Sequence, residues 1–360
     1  MLGVSGRYLT VLFLRRLALI VLGFGAMLLL FDALNNADTI EKRYGDGFAV
    51  VPRYMLFKTP EVIVLITPFA TLLAALLTLL ALARQNEVTA FKAAGMSFYR
   101  MLLLLLPATA LVALTHFAIA DQLSPWAKKR LARYEIDRSE DDASARNAEK
   151  GVWLRDPVYI VNVVAVQREG RTLSGVTLMR RDAQSNIVER IVAKSARFQR
   201  GQWRLENVVT HTIDPRGPSS TRQPEWIWKT TLRPGDFFNL AALSGQFTAR
   251  ELATLRTGDT VGTRPSFVYD TWLHRRFALP AVIFIMVLLA APVAQAHVRM
   301  ASLGSRLAAG VALGFLFFIV DGVAQALGES GAVLPIVSAW APALIFASVG
   351  GSVLLRVEGL

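Results

Sequence analysis

Six apolar stretches of about 20 residues each dominate the chain, long enough at ~1.5 Å rise per residue to cross a ~30 Å hydrocarbon core. They fall in two groups of three: Leu9–Leu34, Val62–Ala83 and Met101–Ala120, then Phe277–Ala296, Leu307–Leu327 and Ala332–Leu355. The segment between the groups has a different rhythm. Short runs rich in Val, Ile, Thr, Tyr and Trp occupy Val152–Leu154, Val158–Val166, Leu173–Met179, Ile187–Phe198, Trp203–Thr212 and Glu225–Leu232. Turn-forming groups such as Arg-Asp-Pro, Glu-Gly, Asp-Ala-Gln-Ser-Asn and Asp-Pro-Arg-Gly-Pro punctuate them, which predicts a sandwich or jelly roll of many short strands.

The expected fold class is therefore an α-helical transmembrane protein, three spans plus three, with an inserted β jelly-roll domain. The expected boundaries are residues 1–124 for the first three spans, 125–270 for the β domain with flanking helices, and 271–360 for the last three spans. Thr248-Ala249-Arg250-Glu251 has the form of a capping box and predicts a short helix running to about Arg256. Tyr269 and Trp272 lie where an aromatic belt would precede the fourth span. The third span is expected to continue past Pro125 as an amphipathic helix through Tyr134.

Composition agrees with this layout. Hydrophobic residues make up 53% of the 360 and the mean hydropathy is +0.42, too apolar for an ordinary soluble domain. Arg15 and Arg16 ahead of an apolar run faintly resemble a twin-arginine signal. No small-x-small cleavage site follows Phe31, and further spans continue downstream, so a retained signal anchor is the simpler reading.

Charge sets an expected orientation. With the N-terminus inside, the cytoplasmic flanks carry nine basic residues, Arg7, Arg15, Arg16, Arg84, Lys92, Arg100, Arg299, Arg306 and Arg356, against four in the short outer segments, Lys42, Arg43, Arg53 and Lys58. The positive-inside rule then places both termini in the cytoplasm and the central domain outside, with Arg275 and Arg276 beside the fourth span narrowing the margin. The net charge of +12 belongs largely to these flanks and does not call for nucleic acid. The absence of cysteine excludes disulfides and thiolate metal sites.

Chemistry-bearing motifs are few. The chain has no Gly-x-x-x-x-Gly-Lys-Ser/Thr loop, no His-Glu-x-x-His and no Gly-x-Ser-x-Gly. Its four histidines, His116, His211, His274 and His297, lack metal-ligand spacing. No cofactor or metal is expected in this chain, and any uphill transport must draw its energy from a partner. Ionisable residues in spans attract attention because they are costly there. Asp32 and Asp321, near the outer helix ends, read either as interfacial carboxylates reaching water or as cavity-lining charges; His116 reads as a residue hydrogen-bonded between helices. Gly310 and Gly314 form a Gly-x-x-x-Gly stripe that serves internal packing or a seam against a second subunit. Lys42, Arg43, Arg53 and Lys58 read as solvated charge or as partners for anionic groups of a ligand. Between the second and third spans, Arg84 to Gly95 reads as a short surface helix closed by Gly95, either a simple turn or a docking element.

Four stretches add a resemblance: Ala81-Leu82-Ala83-Arg84-Gln85-Asn86-Glu87 with Lys92-Ala93-Ala94-Gly95; Gly151-Val152-Trp153-Leu154-Arg155-Asp156; Gly201-Gln202-Trp203-Arg204-Leu205-Glu206-Asn207-Val208; and Gly310 to Gly328, ending Gln325-Ala326-Leu327-Gly328. In this order over a six-span frame, the chain resembles the YjgP/YjgQ family of lipopolysaccharide export permeases, its G type more than its F type.

The resemblance implies a related F-type permease as partner, a cytoplasmic ATPase dimer that binds ATP and Mg, a single-span periplasmic jelly-roll partner and a periplasmic bridge protein. It implies the bacterial inner membrane as location and lipopolysaccharide as cargo, received by the apolar interior of a periplasmic jelly roll. Glu87 is implied as the acidic coupling residue, with Phe91 and Ala94 packing beneath it. Spans one and five are implied as gates, which assigns Gly310, Gly314 and Asp321, with Lys42 and Arg43, to lipid contact or gating. Some relatives carry lysines on the outer part of span one, where this chain has Asn35 and Asn36.

Two competitors belong to other classes: a membrane-anchored scaffold whose sheet recruits envelope proteins, and an intramembrane hydrolase using Asp32 and Asp321. A lipoprotein-release permease usually carries its outer domain after the first span, which disagrees with three plus three.

Overall fold

A computed structural model of the chain describes residues 4–44, 50–93, 95, 97–138, 152–155, 158–167, 170–182, 186–214, 217–237, 247–256, 264–295 and 303–358. Six of its helices are long and apolar enough to cross a membrane. They are α1 (Val4–Asn35), α3 (Val50–Arg84), α5 (Phe98–Ala118), α8 (Ser266–Gln295), α9 (Leu303–Glu329) and α10 (Pro335–Glu358). Shorter helices α2 (Ala37–Tyr44), α4 (Glu87–Ala93), α6 (Ser124–Arg138) and α7 (Ala249–Arg256) connect or flank them.

The chain packs as two compact units. One comprises Met1–Asn36, Arg53–Ala127 and Phe267–Leu360, the other Ala37–Pro52 and Lys128–Ser266. In the helical unit the core runs through Leu9, Phe13 and Leu17 of α1, Leu72, Leu76 and Leu79 of α3, Met101 and Leu105 of α5, Ile283 and Met286 of α8, and Phe317 of α9. Helix α3 buries most of its apolar window, whereas α1 and α9 bury little and present Leu19, Leu22, Phe315 and Ile319 outward. Apolar side chains facing outward from a long helix belong against lipid or another apolar chain.

The third span continues as expected. A π-helical turn at Ile119–Leu123 joins α5 to α6, and Pro125 sits in the first turn of α6, where its missing N–H costs little. The fourth span starts earlier than its apolar run. Helix α8 begins at Ser266, so Arg275 and Arg276 lie within it rather than before it. Tyr269, expected in an aromatic belt, is buried in the bundle, and Trp272 donates its indole N–H to Glu329 at 2.7 Å.

In the second unit, six strands, β1 (Val152–Arg155), β2 (Tyr159–Gln167), β3 (Thr172–Arg181), β4 (Ile187–Gln199), β5 (Gln202–Asp214) and β6 (Gly217–Trp228), form one antiparallel sheet in sequence order. The inserted β domain is present. Among the described residues its strands run as a meander, because each short connection pairs a strand with its sequence neighbour; a jelly roll in the strict sense would interleave two Greek keys.

A transverse row crosses this sheet. Val164, Gly175, Lys194, Asn207 and Pro224 lie opposite one another from β2 to β6, in a gap shared by four successive ladders; the β3–β4 ladder has a further register shift at Arg180/Arg181. Gly175 and Asn207 hold positive φ, at 61° and 54°, and Pro224 has no N–H to donate. Along β3, β4 and β5 the buried positions change phase at this row: Leu173 then Val176, Ala193 then Ala196, Leu205 then Val208. The sheet thus keeps its pairing while its inward face shifts by one residue, the device that bends a sheet across its strands.

One end of the sheet is sealed by aromatic rings. Trp203 packs against Phe198 at 5.2 Å and Phe237 at 5.1 Å, its indole N–H donates to the Leu232 carbonyl at 2.9 Å, and Trp228 closes the group. The capping box is also formed: the Thr248 N–H donates to Glu251 at 2.9 Å, and the Glu251 N–H donates back to the Thr248 hydroxyl at 3.2 Å.

Candidate functional site

Helix α4 is set apart from α3 by a single residue in the left-handed region. Asn86, at φ 58°, ends α3 after Gln85 and turns the chain, and its carbonyl accepts the Ala90 N–H to start α4. Gly95, at φ 79°, follows the last turn as expected from the sequence. Ser97 then caps α5 by accepting the Arg100 N–H.

Two faces of α4 do different things. Phe91 and Val88 pack against the bundle core, which fixes the helix on the protein. Glu87, in the first turn, remains half-exposed and accepts a hydrogen bond from the Tyr8 hydroxyl of α1 at 3.2 Å. A carboxylate held by one neutral donor keeps lone pairs free for a cation from outside. Ala94 lies outside the described residues.

The second cluster joins α8 to α9 and α5. Arg275 donates from both terminal nitrogens to Asp321, at 2.9 and 2.6 Å, a bidentate pair with both groups largely buried. Three residues before it on α8, Trp272 reaches Glu329, which also accepts from Gln325 at 2.6 Å. Arg276 donates to the Ala120 carbonyl, released by the π-helical turn, and its Nε lies 3.8 Å from Asp121. His116 meets the Val64 carbonyl at 3.1 Å through Nε2, a link from α5 to α3.

The structure separates the sequence candidates accordingly. Asp321 is engaged by Arg275, while Asp32 accepts from Tyr54 at 2.8 Å and from Asn36 at 3.3 Å. Each carboxylate has its own neighbours, and no partner is common to both among the described contacts. Lys58 pairs with Glu61 at 2.9 Å. Lys42 and Arg43 fall in α2, but their side chains lie outside the described residues. A Cβ on Gly310 would come 2.4 Å from Leu76, and one on Gly314 2.9 Å from Leu72 and from the Phe69 ring. The stripe is therefore filled by α3 of the same chain.

Sequence reasoning passed over Asp121 and the arginine pair of α8, since the apolar run starts only at Phe277. The signal available was the adjacency of Arg275-Arg276 to that run, with acidic residues in the facing spans.

The profile described as "Lipopolysaccharide export system permease LptF/LptG" matches residues 7–356. The lipopolysaccharide export system permease protein LptG of Escherichia coli K12 is 23% identical over 310 residues, covering 84% of this chain and 84% of the relative. Its namesake in Haemophilus influenzae is 26% identical over 292 residues, covering 78% of each. With six spans, an inserted antiparallel sheet and a match along nearly its full length, the chain belongs to the LptF/LptG family of lipopolysaccharide export permeases.

Proposed function

We propose that this protein is a permease subunit of an ABC-type exporter, rather than an enzyme, which draws lipopolysaccharide from the inner membrane and passes it to a periplasmic bridge. The observation that carries this reading is the family match over residues 7–356 on a six-span chain with an inserted sheet. The chain contains no phosphate-binding loop, so ATP and Mg belong to a separate cytoplasmic ATPase dimer.

Helix α4 suits the docking of that ATPase. Its Phe91 side is anchored in the bundle, so force applied at Glu87 reaches the spans, and Glu87 offers charge to a basic group on the partner. The outward apolar faces of α1 and α9 suit a related F-type permease and the acyl chains of the cargo. The β domain, with its aromatic-sealed apolar interior, suits acyl chains handed to a single-span periplasmic jelly-roll partner and the bridge. In this reading both termini are cytoplasmic and the sheet is periplasmic, with domain boundaries near residues 124 and 270.

Native mass spectrometry of the protein extracted gently from its own cells tests the proposal. The expected complex contains a second permease, two ATPase copies and retained lipopolysaccharide, and Glu87→Arg releases the ATPase. A lone chain, or one carrying only envelope proteins, overturns the exporter reading in favour of a scaffold.

A further inference from the structure

Two arginines of the helical unit, Arg16 and Arg84, share one cleft. Arg275 has Asp321 and Arg276 faces Asp121, whereas among the described residues neither Arg16 nor Arg84 meets a carboxylate. Both line the same half-open cleft between α1 and α3, about 270 Å³ in volume, whose remaining wall includes Leu19, Ile20, Leu77 and Leu80. Arg16 is held in place by donating Nη1 to the Leu77 carbonyl at 2.5 Å, which leaves its other N–H groups free. Arg84 ends α3 seven residues later, about 10 Å further along the helix.

We propose that this cleft binds the phosphodiester of an anionic glycerophospholipid, with an acyl chain along the leucine wall. A guanidinium at a bilayer surface without a protein carboxylate calls for an anion from the membrane itself, and the planar fork of arginine matches phosphate oxygens. Two guanidiniums staggered along the helix axis receive a headgroup that enters from the helix end. The wall between them is apolar, which excludes a soluble polyanion and favours an amphiphile. The volume sits near the lower limit of ~300–1,000 Å³ pockets, enough for one phosphate and the upper part of a chain and too small for a multiply acylated glycolipid. The site meets the outward face of α1 at Leu19 alone, and no residue of α9 lines it. It adjoins helix α4, since Arg84 precedes Glu87 by three residues and Tyr8, bonded to Glu87, lies on the same helix as Arg16.

The test is native mass spectrometry of the full-length protein in mild detergent, titrated with phosphatidylglycerol or phosphatidylethanolamine. The expected result is retention of phosphatidylglycerol at least about tenfold better than phosphatidylethanolamine, as charge-assisted hydrogen bonds to two arginines imply. Arg84→Gln and Arg16→Gln each lower retention roughly tenfold, and lysine at either position restores much of it. Arg84→Gln alters an exposed side chain that has no partner among the described residues, so it reports on the lipid even where Arg16→Gln disturbs α1. Arg15→Gln, exposed on a different face of α1, leaves retention unchanged.

Each of these results overturns the proposal: equal retention of the two lipids; an unchanged signal in the double glutamine variant; an equal loss in Arg15→Gln, which makes the effect one of general surface charge; and displacement of the lipid by equimolar inorganic phosphate, which makes the ligand a free anion. Loss of bound lipopolysaccharide in the double variant, with phosphatidylglycerol unaffected, reassigns the cleft to the cargo and likewise overturns it.

Discussion

Arg275 of α8 grips Asp321 of α9 with both terminal guanidinium nitrogens, at 2.9 and 2.6 Å, in a setting where Asp321 is only 7% exposed. Breaking such a pair by removing one member leaves the other charge buried and uncompensated, at a cost of about 3–5 kcal/mol. Asp321→Ala should therefore lower the unfolding midpoint of the purified protein sharply. Replacing both members, Arg275→Met with Asp321→Leu, should recover most of the loss, because two apolar side chains need no partner. Unfolding curves in detergent check this, and an Asp321→Ala midpoint equal to the parent's would show that the pair does not hold α8 to α9.

Glu87 and Tyr8 make a second testable relationship. Tyr8→Phe removes one hydrogen bond at an accessible site and should change stability by about 1 kcal/mol or less, with the ATPase still docked. Glu87→Gln keeps the shape and the Tyr8 contact but removes the charge. If α4 couples through that charge, ATPase binding should fall for Glu87→Gln and remain near the parent level for Tyr8→Phe. Affinity of the purified ATPase for each variant in lipid discs decides it. Equal weakening by both would assign α4 a shape role in place of a charge role.

The glycines of α9 predict opposite signs for the same substitution. At Gly314 an added methyl meets Leu72 and Phe69 at 2.9 Å, and both neighbours sit between closely packed helices, so Gly314→Ala should destabilise by about 1–3 kcal/mol through overpacking. At Gly322 nothing lies within 4 Å, and alanine should be neutral or stabilising by up to ~1 kcal/mol from helix propensity. Side-by-side unfolding of the two variants is the measurement. A destabilised Gly322→Ala with an unaffected Gly314→Ala would mean that α9 presents the opposite face to α3.

How far the sequence discloses the molecule differs between its two units. Twenty-residue apolar runs reveal the spans because lipid requires length and apolarity along the whole element. Helix α4 is legible because Gly95 marks its end. The start of α8 is hidden, since Arg275 and Arg276 interrupt hydropathy while their partners, Asp321 and Asp121, are supplied by distant elements. In the sheet, the phase slip is written in the chain as Leu173-x-x-Val176, Ala193-x-x-Ala196 and Leu205-x-x-Val208. Read strand by strand it resembles imperfect alternation; only the pairing aligns the slips into one row. The strand order was equally hidden, because period-two patterns specify faces and leave neighbours open.

That row gives a further prediction. Gly175→Val places a β-branched residue at φ 61° and drives its Cβ to 2.7 Å from Val164 on the neighbouring strand. The backbone alone costs about 1–2 kcal/mol in the left-handed region, and the clash adds to it. Asn207→Gly, at the other positive-φ position, should be tolerated, because glycine enters that region freely. Tryptophan fluorescence of the full chain, to which the buried Trp203 and Trp228 of this unit contribute, should report early loosening of the sheet in Gly175→Val. A parent-like profile for that variant would mean the bend does not depend on the glycine.

Glu251 ties α7 to α6 and should give the second unit an acid-sensitive joint. Its carboxyl is pushed up by partial burial, but a hydrogen bond from Lys129 at 2.5 Å, hydrogen bonds from Thr248 and the lysine charge outweigh this, leaving it below the ordinary carboxylate range. A group whose folded value is depressed stabilises the fold above its unfolded value and loses that contribution as pH falls through the folded one. The contribution of the tie should therefore be whole at neutral pH, begin to fall as pH drops through the ordinary carboxylate range, and be lost below the depressed folded value. Both side chains are partly exposed, so solvent and salt reduce the ion-pair share, and the capping role remains the larger part. Thr248→Ala, which removes the hydroxyl from the reciprocal cap, should cost about 1 kcal/mol at neutral pH. Glu251→Gln should remove the acid dependence while keeping some capping. Hydrogen exchange of the α7 amides from neutral to acid pH follows both effects; protection that stays constant in the parent protein across that range would show that the carboxylate does not hold α7 in place.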